Sequence, residues 1–537
     1  MVFKKVTIAL LLSLGVLYFC SINCISLTDP DEAFYSLTAK EMSQAQSFVT
    51  PLIFGHPQFE KPPMFYWALM GSFEMFGFNP GAARLVPALC GLLGLLMTFF
   101  FCRRVFGEDV AYTAVMILGT CALYLVMSKA VLTDIMLAVF MAGAFYAFYL
   151  WMLEGKQFWL DAFAVLAGLA VLTKGPVAII ILLAVIVIYL CWLKEFKLLK
   201  EFAFNRWALI FCAVAVPWYA VMIYKHGRAF IDEFIIHDNW DRILSAEHKR
   251  LDTWHFYPMV MTAGLFPWTF YLILMGRRWK EFSRECLFLL IWIAVTFIIF
   301  QRAHSKLASY ILPLVPALAI VLSISVSSIK EKCRRINVLA FVYGLLGVAL
   351  IIAPMIAEKR FPQYIWPLAV WGIRLLGLSF IGAAFYLWRG KILNAMLAKM
   401  FGILLLFLIA GAQIPKIIDR TAADQYLGEI IRQEGYEGLP VVTNKIYARG
   451  VHLYTGNPVV VIDSNKQPFW SSHPVDVISS HAEVMSYFEN NKRVLCVVKK
   501  IYKEGFDQMF KGKRINRVIN QDGAKVTVMS ERLEETK

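Results

Sequence analysis

Residues 173–200 read TKGPVAIIILLAVIVIYLCWLKEFKLLK. The stretch 176–193 carries no charge and is long enough to cross a hydrocarbon core. Lys194, Lys197, Lys200 and, just beyond, Arg206 crowd one end, while a lysine turned by Gly175 and Pro176 marks the other. One span with a basic loop on one side and a motif on the other is the unit from which the chain is built. Similar apolar runs lie near 6–26, 82–101, 110–128, 131–151, 158–173, 207–224, 256–275, 285–301, 308–328, 336–356, 364–388 and 397–416, which makes about thirteen spans.

The composition agrees. With 59% hydrophobic and 17% charged residues over 537 positions and a mean hydropathy of +0.61, a soluble domain is excluded, and the fold class is a polytopic α-helical membrane protein. The start, MVFKKVTIALLLSLGVLYFC, has the basic and apolar parts of a secretory signal without a clear small-residue cleavage site, so it reads as a retained first span. The ten cysteines fall mostly in apolar segments, with Cys496 in the polar tail, and offer neither a disulfide framework nor zinc-ligand spacing.

Placing the N-terminus in the cytoplasm puts Arg103, Arg104, Lys156, the 194–206 cluster, Arg277, Arg278, Lys280, Arg284, Lys330, Lys332, Arg334, Arg335, Arg389, Lys391 and Lys399 on the cytoplasmic side. That asymmetry is the positive-inside pattern. Much of the +15 net charge is then a topology signal, and no nucleic-acid partner is needed to explain it.

The opposite loops are chemically different. SLTDPDEAFYSLTAKEM (26–42), PQFEKPPMFYW (57–67), SKAVLTD (128–134), TKGP (173–176), the stretch 225–257 and QRAHSKLASY (301–310) all fall on one face, the periplasmic one. Beyond residue 416 short β-branched runs alternate with helical stretches, predicting a periplasmic α/β domain over 417–537 after a membrane domain over 1–416. An odd number of spans places that tail outside the cytoplasm. No repeat of fixed period is visible, which argues against an inverted-repeat transporter.

Asp31 and Glu32 are adjacent at a helix start, so their side chains diverge by about 100°; one can face a site as a general base while the other caps. Lys61, between Glu60 and Pro62–Pro63, is a cation whose direction the backbone fixes in advance, suited to phosphate. Lys174, Arg242 and Lys306 are further cations near span boundaries, and Glu60 with His237 has the donor chemistry of a divalent-metal pair such as zinc. Asp134, at the start of a span, is expected to orient a cation such as Lys61 or Lys129.

In order, DE after the first span, FEKPP followed by aromatics, LTD, TKGP, His237 with Arg242, and SKLASYILP (305–313) resemble the ArnT-type lipid A aminoarabinose transferases, within the protein O-mannosyltransferase-like GT-C enzymes. The resemblance runs over residues 1–416 and into the tail. It implies transfer of a sugar, 4-amino-4-deoxy-L-arabinose or another amino sugar, from undecaprenyl phosphate to a periplasmic acceptor such as a lipid A phosphate, with inversion and no nucleotide cofactor. It also implies a multi-pass protein of the bacterial inner membrane whose partners are the donor lipid, the glycolipid acceptor and membrane lipids. By motif, Asp31 matches the first-loop acid, with Glu32 beside it in the catalytic set. Asp134 matches the acid paired with a lysine, and Lys61, Arg242 and Tyr310 match the donor-phosphate ligands. Lys174 and Lys306 are expected at the acceptor or a phosphate, and Glu60 with His237 at a metal. Phe34 departs from the pattern, standing where relatives often have arginine. The rival readings are a core-sugar or protein acceptor for the same donor, a lipid flippase with charges in broken spans, and a structural role.

Overall fold

The computed structural model describes residues 13–241, 252–275, 283–329, 334–360, 367–421, 425–463, 475–500, 503–522 and 525–533. The chain packs as two compact units: one of residues 1–20, 59–65 and 84–411, the other of 21–58, 66–83 and 412–537. This grouping differs from a linear division at residue 416, because most of the first loop packs with the C-terminal segment.

The first unit is helical. Among the described residues nine helices are long and apolar enough to cross a membrane, and Val177–Trp192 is a shorter apolar one. Two of the expected spans are broken ones. The run 110–128 divides at Cys121 into Glu108–Thr120 and Ala122–Met127, where the freed Ala122 N–H donates to Phe266 O at 2.9 Å. The run 256–275 divides into Phe256–Gly264 and a 3₁₀ turn, Thr269–Leu274. A break at membrane depth is stable only where protein takes the exposed backbone groups. Of the expected first span, residues 6–12 lie outside the described residues.

Thr133–Glu154 is the central helix, with 94% of its apolar window buried. It is apolar all round, as a helix enclosed by others must be, and ends at Gly155 with φ +67°, the left-handed C-terminal stop that glycine adopts freely. Lys399, expected in a basic loop, is instead wholly buried in Ile392–Thr421, its ammonium 4.1, 3.9 and 4.0 Å from the ring centres of Trp268, Tyr271 and Tyr343. It contributes nothing to the positive-inside signal.

In the second unit six strands form one sheet: β1 (Val441–Thr443), β2 (Val459–Ile462), β3 (Asp476–Ile478), β4 (Arg493–Lys499), β5 (Arg514–Asp522) and β6 (Lys525–Arg532). Their order is β3-β2-β1-β4-β6-β5; the first four are parallel and the last two antiparallel. Val442, Val460 and Cys496 face the helices His481–Asn490 and Lys503–Met509, whereas Val441, Val459, Val461 and Leu495 face Gln425–Gln433 and Ala448–Thr455. Burial on both faces is why these strands read as unbroken apolar runs and not as alternation. The same unit holds the helix Asp31–Gln44 and a two-strand turn, Leu52–Ile53 with His56–Pro57, whose Phe54 and Gly55 N–H groups donate to the Glu41 carboxylate.

Candidate active site

In the first unit the Glu60–Lys61 segment is held by Phe59, whose ring lies 5.0 Å from His226 and 5.7 Å from Phe230. Lys61 is buried, and its ammonium donates to Asp238 Oδ2 at 2.6 Å and to the Glu60 carbonyl at 2.8 Å. Asp238 and His237 sit in Ile231–Asp241, a stretch wound with the wide π-helical pitch that recurs at functional sites. Sequence reading missed Asp238. Its signal was available: a lysine aimed by two prolines and buried needs a counter-ion, and an acid lies beside His237.

A second ion pair joins two helix termini. Asp134, in the first turn of Thr133–Glu154, accepts from Lys174 at 2.5 Å, and Lys174 is in the last turn of Gln157–Lys174. Acid at an N-terminus and base at a C-terminus each complement the helix dipole. Gly175, at φ +100°, makes the turn that lets the lysine end its helix there. The Tyr310 ring lies over Lys174, 4.3 Å from the ammonium. The expectation that Asp134 pairs with Lys61 or Lys129 is therefore corrected: Lys61 belongs to Asp238, the Lys129 ammonium donates to Cys20 O, and Lys174 is the partner of Asp134.

Lys306 is also buried. Its ammonium donates to Asp252 Oδ1 at 2.8 Å and to Thr253 O at 3.2 Å, and His304 Nδ1 is 2.7 Å from the other Asp252 oxygen. Hydrogen bonds from Lys306 and then His304 hold the Asp252 carboxyl below the usual carboxylate range. The clasp ties the end of the 225–257 loop to the SKLASY segment. Arg242 lies outside the described residues.

In the second unit the adjacent acids separate as their geometry requires. Glu32 is buried and its Oε2 accepts from Thr28 N at 3.0 Å and Thr28 Oγ1 at 2.9 Å, closing the helix start, whereas Asp31 is exposed. Glu60 and His237 supply two donors, but among the described residues no group of three His, Cys, Asp or Glu side chains is placed to hold a metal ion. A resident metal does not follow from the described residues.

The sequence and the fold of the chain are similar to those of known proteins. Residues 5–226 match the family model described as dolichyl-phosphate-mannose-protein mannosyltransferase. The undecaprenyl phosphate-α-4-amino-4-deoxy-L-arabinose arabinosyl transferase of Erwinia tasmaniensis is 29% identical over 457 residues, 80% of each chain. An uncharacterised protein of Aquifex aeolicus is 27% identical over 371 residues, 68% of this chain and 72% of its own. The crystal structure of ArnT from Cupriavidus metallidurans bound to undecaprenyl phosphate superposes with a TM-score of 0.80 at 21% identity, covering 98% of both chains. The chain is similar to the ArnT-type transferases, and it is a glycosyltransferase. The transferase is a multi-pass membrane protein, and its chemistry is glycosyl transfer.

Proposed function

We propose that the transferase moves 4-amino-4-deoxy-L-arabinose from undecaprenyl phosphate to a phosphate of lipid A, at the periplasmic face of a bacterial inner membrane and with inversion at the anomeric carbon. The observation that carries the reading is the buried Lys61–Asp238 pair, a pre-aimed ammonium in the segment that the family resemblance assigns to the donor phosphate. The arabinosyl transferase of Erwinia tasmaniensis and the undecaprenyl-phosphate-bound ArnT supply the donor chemistry.

In the step, an acceptor phosphate oxygen attacks the anomeric carbon from the face opposite the undecaprenyl phosphate. The bond from that carbon to the donor oxygen breaks, and its electron pair stays on the departing phosphate. Lys61 and Arg242 neutralise the charge that develops there, and a cation held in place before the reaction does so without reorganising. Tyr310 and Lys174 stand at the same phosphate, with Asp134 fixing the lysine. A lipid A phosphate is already ionised, so the step needs no strong base, and the part left to Asp31 is to balance a cation beside the acceptor and not to bind the phosphate itself.

Two measurements test this. Mass spectrometry of lipid A from cells with and without the protein should show an added amino-pentose; an unchanged profile or an added hexosamine overturns the assignment of sugar and acceptor. In proteoliposomes with the undecaprenyl-phosphate sugar and bis-phosphorylated lipid A, Lys61→Ala should lower transfer about ten- to a hundredfold, the loss of one charge-assisted contact.

A further inference from the structure

The helix Ala448–Thr455 of the α/β segment lies against the first-loop helix within the second unit, and its polar contacts run along that helix, from the turn before Asp31 to Lys40 near the other end. Gly450 N–H, in the first turn, donates to Asp29 Oδ1 at 2.9 Å, so a first-loop carboxylate satisfies a backbone donor that helix geometry leaves open. Leu27 N–H donates to the Tyr454 hydroxyl at 2.7 Å, and the Lys40 ammonium to Leu453 O at 3.0 Å.

Arg449 is the residue that local rules do not explain. It is a cation in the first turn of its helix, where the dipole opposes positive charge. It is also 6% exposed, in a position where a guanidinium loses its water. Its guanidinium carbon lies 4.4 Å from the ring centre of the buried Phe34. Phe34 is three residues after Asp31 on the same helix, hence on the same side of it. The C-terminal segment thus delivers one backbone donor and one buried cation to the turn that begins Asp29, Pro30, Asp31, Glu32.

We propose that Arg449 is a positioning residue for glycosyl transfer, the guanidinium on Phe34 and the neighbouring Gly450–Asp29 bond together fixing the pose of Asp31. The inference rests on the proposed transfer reaction, and on Asp31 taking part in it. It gives the α/β segment a part in the catalytic cycle that its own strands and helices, which carry no catalytic motif, do not suggest.

The test uses the full-length protein in proteoliposomes with undecaprenyl phosphate-α-4-amino-4-deoxy-L-arabinose and bis-phosphorylated lipid A. Arg449→Ala should lower kcat about ten- to a hundredfold, the range for a displaced reacting group, while the KM for the donor lipid stays within about twofold. Arg449→Lys, which keeps the charge, should recover part of the loss. In an Asp31→Asn background the further substitution Arg449→Ala should cost little, since a residue acting through Asp31 has nothing left to act on. The inference is overturned by normal transfer in Arg449→Ala, by a loss equally large in the Asp31→Asn background, or by a loss in KM alone. Should Arg449→Ala fail to fold, Arg449→Lys and Arg449→Gln carry the comparison: lysine must transfer better than glutamine, and equal rates overturn it. Absence of transfer by the wild type overturns the function reading itself, and this inference with it.

Discussion

An ammonium as deeply set as that of Lys61 persists because Asp238 meets it at 2.6 Å with a side chain only 3% exposed. Removing one partner of a buried pair leaves the other charge uncompensated, at about 3–5 kcal/mol, whereas replacing both by apolar groups is far milder. Asp238→Asn should therefore lower thermal stability strongly, and Lys61→Met with Asp238→Leu should restore much of it while transfer stays lost. Unfolding followed in detergent, alongside transfer, separates the two roles of the lysine. The acids of the first loop divide similarly. Glu32→Gln weakens the bonds to Thr28 and should cost about 1 kcal/mol of stability with transfer near normal. Asp31→Asn should leave stability unchanged and reduce transfer, by up to about a hundredfold if a proton must be removed from the acceptor and by less for an ionised phosphate. If Asp31→Asn transfers at the wild-type rate on both a phosphate and a hydroxyl acceptor, Asp31 has no catalytic part. Lys61, Asp134 and Lys174 were legible from sequence because motif and span boundary coincide at each. The pairing of Asp134 was not, because which helix ends meet depends on packing between distant segments.

At the level of elements, two side-chain devices join segments that are far apart in sequence. Lys399 brings Ile392–Thr421 against Trp268, Tyr271 and Tyr343, with no hydrogen-bond partner for its ammonium among the described residues. A desolvated cation over an aromatic face gains about 2 kcal/mol, and burying the charge offsets much of that. Lys399→Met, which keeps the volume, should thus lie within about 1.5 kcal/mol of wild type, and Lys399→Ala should lose about 3 kcal/mol through the space it leaves. Equal losses in thermal unfolding would mean that the charge itself holds the helices. The clasp of Asp252 with Lys306 and His304 is the second device. Because the folded carboxyl titrates lower than the unfolded one, near 3.9, its contribution is present above that value and fades as pH falls through the folded value. Asp252→Asn should lack this acid-side component, visible as a flatter stability profile below about pH 4. Helix positions were readable from hydropathy almost throughout. The breaks at Cys121 and before Thr269 were not, since the backbone partner that makes a break tolerable, Phe266 O for Ala122, lies far away in sequence.

For the whole molecule, orientation rests on charge asymmetry, and the structure changes how that asymmetry is counted. Lys399 leaves the cytoplasmic tally because it is enclosed, and Lys61, Lys174 and Lys306, each held by an acid, belong to the other set of loops. Short loops rich in lysine and arginine are what the positive-inside rule weighs, with acids counting little. The stretch between Val177–Trp192 and Trp207–His226 is such a loop: Lys194, Lys197 and Lys200 flank or lie on the short helix Phe196–Ala203, and Arg206 is paired with Asp161. It should be cytoplasmic. The α/β segment should then lie on the other side, where the helix carrying Arg449 can meet the first loop in the same compact unit. Alkaline phosphatase fused after residue 200 should be inactive and fused at the C-terminus active, with a cytoplasmically folding reporter giving the reverse. Two fusions of the same sign would overturn this topology, and with it the periplasmic placement of Asp31, because the first loop and the α/β segment pack together and must share a side.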